Sequence, residues 1–490
     1  NDITNFCFRL LQEPYTEAPA RPKTKFLMSL TINGEHMSTH IKKMTEGRPT
    51  SLILAFALSL MAGNIFQQLY TVVDTMVVGK GLGVQALAAL GAADWLNWMM
   101  LGIIQGLTQG FGIMMAQEFG AKREDMLRRT IGNAACLSVA FMAVLTVAGQ
   151  MLVAPVLHIL QTPEDIMGNA SLYLRIMFAG IPIVMLYNLL ACILRALGDG
   201  KTPLNAMIVA SFTNIALDIL FVLVLDFGIA GAAAATLIAQ LVSAVFCIFH
   251  IRKIEILSFR RDDFRFHQGM TEKLLVLGSP MAFQNGIIAV GGMIVQSVVN
   301  GFGVIFIAGF TATNKLYGLL EIAATSYGYA MVTYVGQNLG AGKIRRIRQG
   351  VRSAVIIGTL TAVGIAVVML LGGKYILSLF ISGTPEEYEK TMAIAYYYLS
   401  IMSICLPILY LLHVLRSAIQ GMGNTVLPML SGVAEFIMRT LSALFLPLLV
   451  GQTGIFYAEI LAWIGADVIL VTSYFVKIRS YSGLEARSGA

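Results

Sequence analysis

Twelve long apolar stretches, poor in Lys and Arg, constrain this chain more than anything else in it. Their cores run over 50–79, 84–118, 131–155, 167–194, 203–225, 228–250, 274–299, 303–335, 351–372, 391–415, 426–449 and 453–476. An α-helix needs about 20 apolar residues to cross the hydrocarbon core of a bilayer. Inside lipid every backbone polar group must be bonded within the protein, so such stretches fold as transmembrane helices. The charge content agrees: 12% of residues are Asp, Glu, Lys or Arg, against about 25% in a soluble chain. The mean hydropathy is +0.75. The second and eighth stretches are longer than a span requires, so they tilt or extend past the bilayer.

The short loops set the orientation, because Lys and Arg collect on the cytoplasmic side. Basic residues cluster before the first span (Lys42, Lys43, Arg48) and in the 2–3 loop (Lys122, Arg123, Arg128, Arg129). They recur in the 4–5 loop (Arg195, Lys201), the 6–7 linker (Arg252, Lys253, Arg260, Arg261, Arg265, Lys273) and the 8–9 loop (Lys343, Arg345, Arg346, Arg348, Arg352). The tail adds Lys477, Arg479 and Arg487. Twelve alternating helices put all of these on one side, which predicts cytoplasmic termini in a multi-pass plasma (cytoplasmic) membrane protein. The net charge of +7 is thus topological, and no basic, aromatic soluble face suggests a nucleic-acid partner. The bilayer is the expected partner, and a monomer is the expected state.

The expected organisation has five parts. Residues 1–43 read as a disordered N-terminal extension, with Met37 and Met44 as alternative starts and no apolar core of a secretory signal. A first six-helix bundle covers 44–250, a basic cytoplasmic linker 251–273, a second bundle 274–477 and a cytoplasmic tail 478–490. The two bundles are an internal repeat. AQEFGAKREDMLRRTIGNA (116–134) matches GQNLGAGKIRRIRQGVRSA (336–354) at an offset of 220. IPIVMLYNLLACILRALGDGKTP (181–203) matches LPILYLLHVLRSAIQGMGNTVLP (406–428) at an offset of 225. Six spans per half is an even number, so both halves insert in the same sense, related by an axis along the membrane normal.

Polar residues inside the spans carry the chemistry, because an ionisable group there is expensive and faces protein or a water-filled cavity. On the first helix Asn64, Gln67, Tyr70, Thr71 and Asp74 recur every three or four residues and form one stripe. In the fifth span Asn214 and Asp218 are i and i+4 and share a face. Thr236 follows in the sixth. Two carboxylates, an amide and a hydroxyl are hard oxygen ligands or proton carriers, suited to Na⁺ or H⁺. Asp94 in the second span would add to an acidic cavity, and Asn188 and Gln284 supply further polar positions. Glu435 and Arg439, i and i+4 in the eleventh span, read as an internal ion pair. Glu459 and Asp467 in the twelfth read as packing or interfacial residues. Lys315 and Glu321 in the eighth either pair or line the cavity. At the offset of 225, Arg439 falls over Asn214 and Ala443 over Asp218, so only the first half carries the acid.

FQQLYTVVDTMVVG, LGAADWLNWMMLGIIQGLTQGFGIMMAQEFGAK, LRALGDGKTP and NIALDILFVLVLDFGIAGAAAAT resemble the multidrug and toxic compound extrusion (MATE) family, over roughly residues 45–478. The N-x-x-x-D of the fifth span is similar to the DinF-type branch. The resemblance implies an all-α membrane fold of twelve helices in two six-helix bundles arranged as a V. It implies secondary antiport that exports cationic, amphipathic drugs against inward H⁺ or Na⁺, with no other cofactor. By position it implies cation coupling at Asp74, Asn214, Asp218 and Thr236, with Na⁺ as one occupant of Asp74, Asn214 and Asp218. A substrate cavity would involve Asn64, Gln67, Tyr70, Thr71, Asp94, Asn188 and Gln284. One departure is Ser59, where relatives commonly have a first-helix proline; the second half keeps its counterpart, Pro280. A proline hinge in that helix is therefore not expected here. Pro182, Pro280 and Pro407 are the remaining candidates for bends.

Two other classes of protein would leave different marks in the sequence. A lipid or lipid-linked oligosaccharide flippase of the same superfamily would want more cationic cavity residues. An enzyme would want a nucleophile–base or metal constellation. The chain has no GxSxG, HExxH or Walker loop, and ALGDGKT (196–202) lacks the P-loop spacing. The five cysteines form no CxxC and read as buried apolar residues, and the twenty-six methionines as membrane filling.

Overall fold

A computed structural model describes residues 41–160, 162–381 and 384–488. The expected extension lies outside the described residues up to residue 40. Among the described residues the protein is helical, without strands. The helices are α1 (Pro49–Leu82), α2 (Val84–Gly120), α3 (Glu124–Ile159), α4 (Glu164–Ala179), α5 (Ile181–Ala196), α6 (Lys201–Asp218) and α7 (Gly228–Ile251). In the second half they are α8 (Gln268–Asn300), α9 (Val304–Gly340), α10 (Ile344–Leu377), α11 (Pro385–Gly421), α12 (Val426–Val450) and α13 (Ala458–Ser488).

Ten of these regions are long and apolar enough to cross a membrane, and α4 with α5 makes an eleventh as one span bent by 49°. The remaining helix, α9, has 37 residues, but Asn314, Lys315 and Glu321 dilute its hydropathy. The bend between α4 and α5 falls at Gly180, with Pro182 near the start of α5. Proline has no N–H to give the preceding turn and clashes with the carbonyl four residues back. Its repeat counterpart, Pro407, sits inside the unbroken α11, and Pro280 inside α8. The same residue at matched positions thus breaks one span and not the other. Ser59 lies in an unbroken α1 and returns its hydroxyl to the Ala55 carbonyl (3.1 Å).

Two buried apolar cores form, one per half. Each captures the start of a helix from the other half. The opening turns of α1 (Ile53, Phe56, Ala57, Leu60) pack into the core built by α9–α13. The opening turns of α8 (Met270, Leu274, Leu277, Met281) pack into the core of α2–α7. The halves are therefore cross-braced at the end where the basic loops lie.

The seam between α2 and α8 is built on glycine. Gly102, Gly106 and Gly110 repeat every four residues and lie on one face. A Cβ on Gly106 would sit 2.6 Å from the Ala282 nitrogen, and one on Gly110 would sit 2.4 Å from the Gly278 Cα. Small residues at this spacing let helix backbones approach in a bilayer, and Asn285 Nδ2 adds a bond to the Gly102 carbonyl (2.8 Å). The matched seam, α1 with α9, has Ile322, Ser326 and Ala330 at those positions and is joined by Asn64 Nδ2 donating to Ser326 Oγ (3.3 Å). Towards the opposite end Leu69, Val72 and Met76 of α1 and Val304 of α9 are exposed, and the halves diverge into a V.

Candidate functional site

Three helices of the first half build the site. Helix α6 is held against α1 by Ser211 Oγ, which donates to the Phe66 carbonyl (3.2 Å), and against α7 by Ser243 Oγ, which donates to the Ala206 carbonyl (3.1 Å). Asn214 and Asp218 lie one turn apart on α6, both 0% exposed. At Asp218 the backbone widens into a π-helical segment, Ile219–Val224, an irregularity common at functional sites. Asp74 reaches the same place from α1 and is 9% exposed.

The carboxyl groups of Asp74 and Asp218 lie close enough to act on one another electrostatically. Two carboxylates are acceptors only, so a bond between them exists only with a proton on one. Asn214 donates from Nδ2 to Thr236 Oγ1 of α7 (3.5 Å), which leaves its own oxygen as an acceptor. The result is a cluster of acceptors. Asp74 Oδ1, Asn214 Oδ1 and both carboxylate oxygens of Asp218 are buried with no donor among the described residues. A buried acceptor without a partner is costly, and a buried charge more so. A proton or a small cation is what this set of oxygens accommodates. No cluster of three or more His, Cys, Asp or Glu suited to a metal ion occurs among the described residues.

The rest of the first-helix stripe divides. Tyr70 lies near Gln67, Asp74 and Asp218, so the stripe does approach the acidic pair there. Asn64 instead reaches across to the second half, and Thr71 returns its hydroxyl to the Gln67 carbonyl (3.0 Å). Asp94 is exposed on α2, within electrostatic reach of both Asp74 and Lys315. Two further expected cavity residues are buried. Asn188 is buried and donates to the Val184 carbonyl of its own helix (2.8 Å). Gln284 is 2% exposed, accepts from Gln420 Nε2 (3.5 Å) and packs on Gly432. The Asn188 amide is thus spent on its own helix, and Gln284 lies against α11 and α12.

The second half holds a closed ionic chain at the corresponding depth. Glu435 and Arg439 are 2.9 Å apart, and each has a second partner: Arg416 with Glu435 (2.7 Å) and Glu459 with Arg439 (2.6 Å). Two cations and two anions cancel. Arg416 went unread in the sequence because it falls one residue past the expected end of the tenth span, yet it is buried. Glu321 faces His413 (3.6 Å) rather than Lys315. Asp467 is buried in α13. Among the described residues Cys192, Cys247 and Cys405 are free thiols.

The chain is similar to known proteins over most of its length. The MatE family model matches residues 59–220 and 280–445, one segment in each half. The probable multidrug resistance protein YpnP of Bacillus subtilis is 30% identical over 370 residues, covering 73% of this chain and 81% of that protein. DNA damage-inducible protein F of Escherichia coli is 25% identical over 343 residues, covering 68% of this chain and 72% of that one. Among solved structures, MATE in complex with MaL6 superposes with a TM-score of 0.83 at 19% identity, covering 91% of this chain and 100% of that chain.

Proposed function

We propose that this chain, which belongs to the MatE family of multidrug transporters, exports amphipathic organic cations by alternating access in exchange for H⁺ or Na⁺. The donor-free cluster of Asp74, Asn214 and Asp218 carries this reading. A site made only of acceptors is costly when empty and gains from a cation or a proton. Arrival of the coupling ion would neutralise it and remove the attraction for a cationic drug. Departure of the ion would restore that attraction. The two ligands would then occupy the first half in turn, which is the condition for exchange.

Roles follow from position. Asp74 and Asp218 would take the proton or share the Na⁺, Asn214 would add its oxygen, and Thr236 would hold that amide in register. Tyr70 and Gln67 border the pair, and Asp94, exposed beside Lys315, would meet the cationic substrate first. The closed ionic chain of the second half supports coupling in the first half alone. By the distribution of Lys and Arg, the end with the basic loops is cytoplasmic, with both termini, in the plasma membrane.

Purified protein in liposomes, given a fluorescent cationic dye and separately imposed H⁺ and Na⁺ gradients, tests the reading. Dye export should follow one of the two gradients, and Asp74→Asn and Asp218→Asn should each abolish gradient-driven export. Export indifferent to both gradients, or undiminished in both variants, refutes it.

A further inference from the structure

At the basic end the two halves are joined by one contact made twice. Gln117, in the last turn of α2, donates from Nε2 to the carbonyl of Gly421, the last residue of α11 (3.1 Å). Gln337, in the last turn of α9, donates from Nε2 to the carbonyl of Ala196, the last residue of α5 (2.8 Å). Gln117 and Gln337 are separated by the repeat offset of 220, and Ala196 and Gly421 by the offset of 225. Each bond thus crosses from one half to the other and caps a helix end whose carbonyls have no partner within their own helix. Three residues on, Gly120 and Gly340 are matched in the same way. A Cβ on Gly120 would lie 2.0 Å from the Gln337 carbonyl oxygen, and one on Gly340 would lie 1.9 Å from that of Gln117. Helices α2 and α9 touch backbone to backbone there, which brings each glutamine within reach of its target.

The two copies are unequal. The Gln337 side-chain oxygen also accepts the backbone N–H of Met44 (2.8 Å). Met44 is fully buried in a strap that runs into α1, and its carbonyl accepts from Asn338 Nδ2 (3.1 Å) and from Arg346 (3.3 Å). Arg346 also bonds the Gly47 carbonyl (3.0 Å), and Lys343 the Thr45 carbonyl (3.1 Å). On the same side Thr333 Oγ1 donates to the Arg195 carbonyl (3.2 Å), and the Arg195 guanidinium lies over the Tyr329 ring (4.9 Å). The residues matched to Thr333, Tyr329 and Arg195 are Ile113, Gln109 and Gln420. Among the described residues no strap reaches Gln117.

We propose that Gln117 and Gln337 are the gating residues of the transport cycle at the basic end, and that the Met44 strap makes the Gln337 contact the stronger of the two. The proposal rests on the alternating-access reading. Both contacts must part before the cavity opens at this end. The glutamines touch neither ion nor drug; they position the halves and set the ratio of the two states. Because the strap binds only one copy, the gate opens asymmetrically, with the Gln117 seam yielding first.

The distance between spin labels at Glu124→Cys and Arg345→Cys, at the starts of α3 and α10, reads the gate directly. It is measured on the full chain with its native cysteines replaced, in nanodiscs, without drug or gradient. One net hydrogen bond lost corresponds to about a fivefold change in an equilibrium. Gln117→Ala should raise the long-distance population ratio about fivefold. Gln337→Ala, which loses two bonds, should raise it by roughly thirtyfold. Gln337→Met keeps the length of the side chain but loses donation to Ala196, so it should also open the gate. It provides the test if the alanine variant does not fold. Unchanged distances in folded variants overturn the gating role, and an effect of Gln117→Ala equal to or above that of Gln337→Ala overturns the asymmetry. Shifted distances in a protein that exports no dye would instead count against the transport reading alone.

Discussion

Replacing Arg439 with Gln tests whether the second-half ionic chain is structural. Arg439 is buried and holds two carboxylates, Glu435 at 2.9 Å and Glu459 at 2.6 Å. Glu435 keeps Arg416 at 2.7 Å after the change, but Glu459 loses its partner. Breaking a buried pair costs about 3–5 kcal/mol, mostly from the charge left behind. Glu459 retains 18% exposure, which favours the lower end, about 3 kcal/mol, or roughly a hundredfold in the folded-to-unfolded ratio. Removing the stranded charge as well, in Arg439→Gln with Glu459→Gln, should recover most of the loss. Glu459→Gln alone should cost less than Arg439→Gln, because Arg439 keeps Glu435. Thermal melts of detergent-purified protein, followed by size-exclusion chromatography, rank the three variants. An Arg439→Gln melt equal to the parent's, or a double variant as unstable as the single, refutes the argument. A double variant that melts normally but no longer exports dye would show that the chain contacts substrate.

Three further outcomes are expected. Gly110→Ala places a Cβ 2.4 Å from the Gly278 Cα, so α2 and α8 must part by about 1 Å or more to restore ordinary contact, at about 1–3 kcal/mol; Gly91→Ala on the same helix, with nothing within 4 Å, should not lower the melting midpoint. Asp94→Asn should raise the KM for a cationic dye while export still responds to the ion gradient, unlike Asp74→Asn; loss of the gradient response would move Asp94 into the coupling site. Asn133 accepts from the His267 N–H (3.0 Å) and Thr271 Oγ1 (3.3 Å) and donates to the Arg265 carbonyl (3.2 Å). Asn133→Ala should therefore speed tryptic cleavage in the basic linker around Arg260–Arg265, and an unchanged digestion rate would remove Asn133 as the linker's anchor.

Much of the architecture is readable along the chain, because it depends on local quantities. Span length, apolar content and the placement of Lys and Arg are sums over neighbouring residues, and the bilayer converts them into helices. The repeat is equally visible, since Gln117 and Gln337, or Pro182 and Pro407, recur at constant offsets. So is the shared face of Asn214 and Asp218, because it follows from helical periodicity alone. Helix boundaries are less legible. Arg416 escaped notice by one residue, and hydropathy does not register the break at Gly180.

What periodicity cannot supply is the identity of the surface a polar face meets. Asn64 and Asp74 share a stripe on α1, yet one bonds the second half and the other meets Asp218. Asn188 and Gln284 are polar in apolar helices, as a cavity residue would be, but one bonds its own helix and the other meets Gln420. Glu459 reads in sequence as a packing or interfacial residue and becomes a partner of Arg439 only once α12 and α13 lie side by side. The matched glutamines show the limit most plainly. The chain alone establishes that Gln117 and Gln337 are equivalent, since their surroundings repeat. Only the packed halves bring each to a helix end of the other and lay Met44 against one and not its twin. Contacts between residues some 300 positions apart depend on how whole helices pack, and no local pattern encodes that.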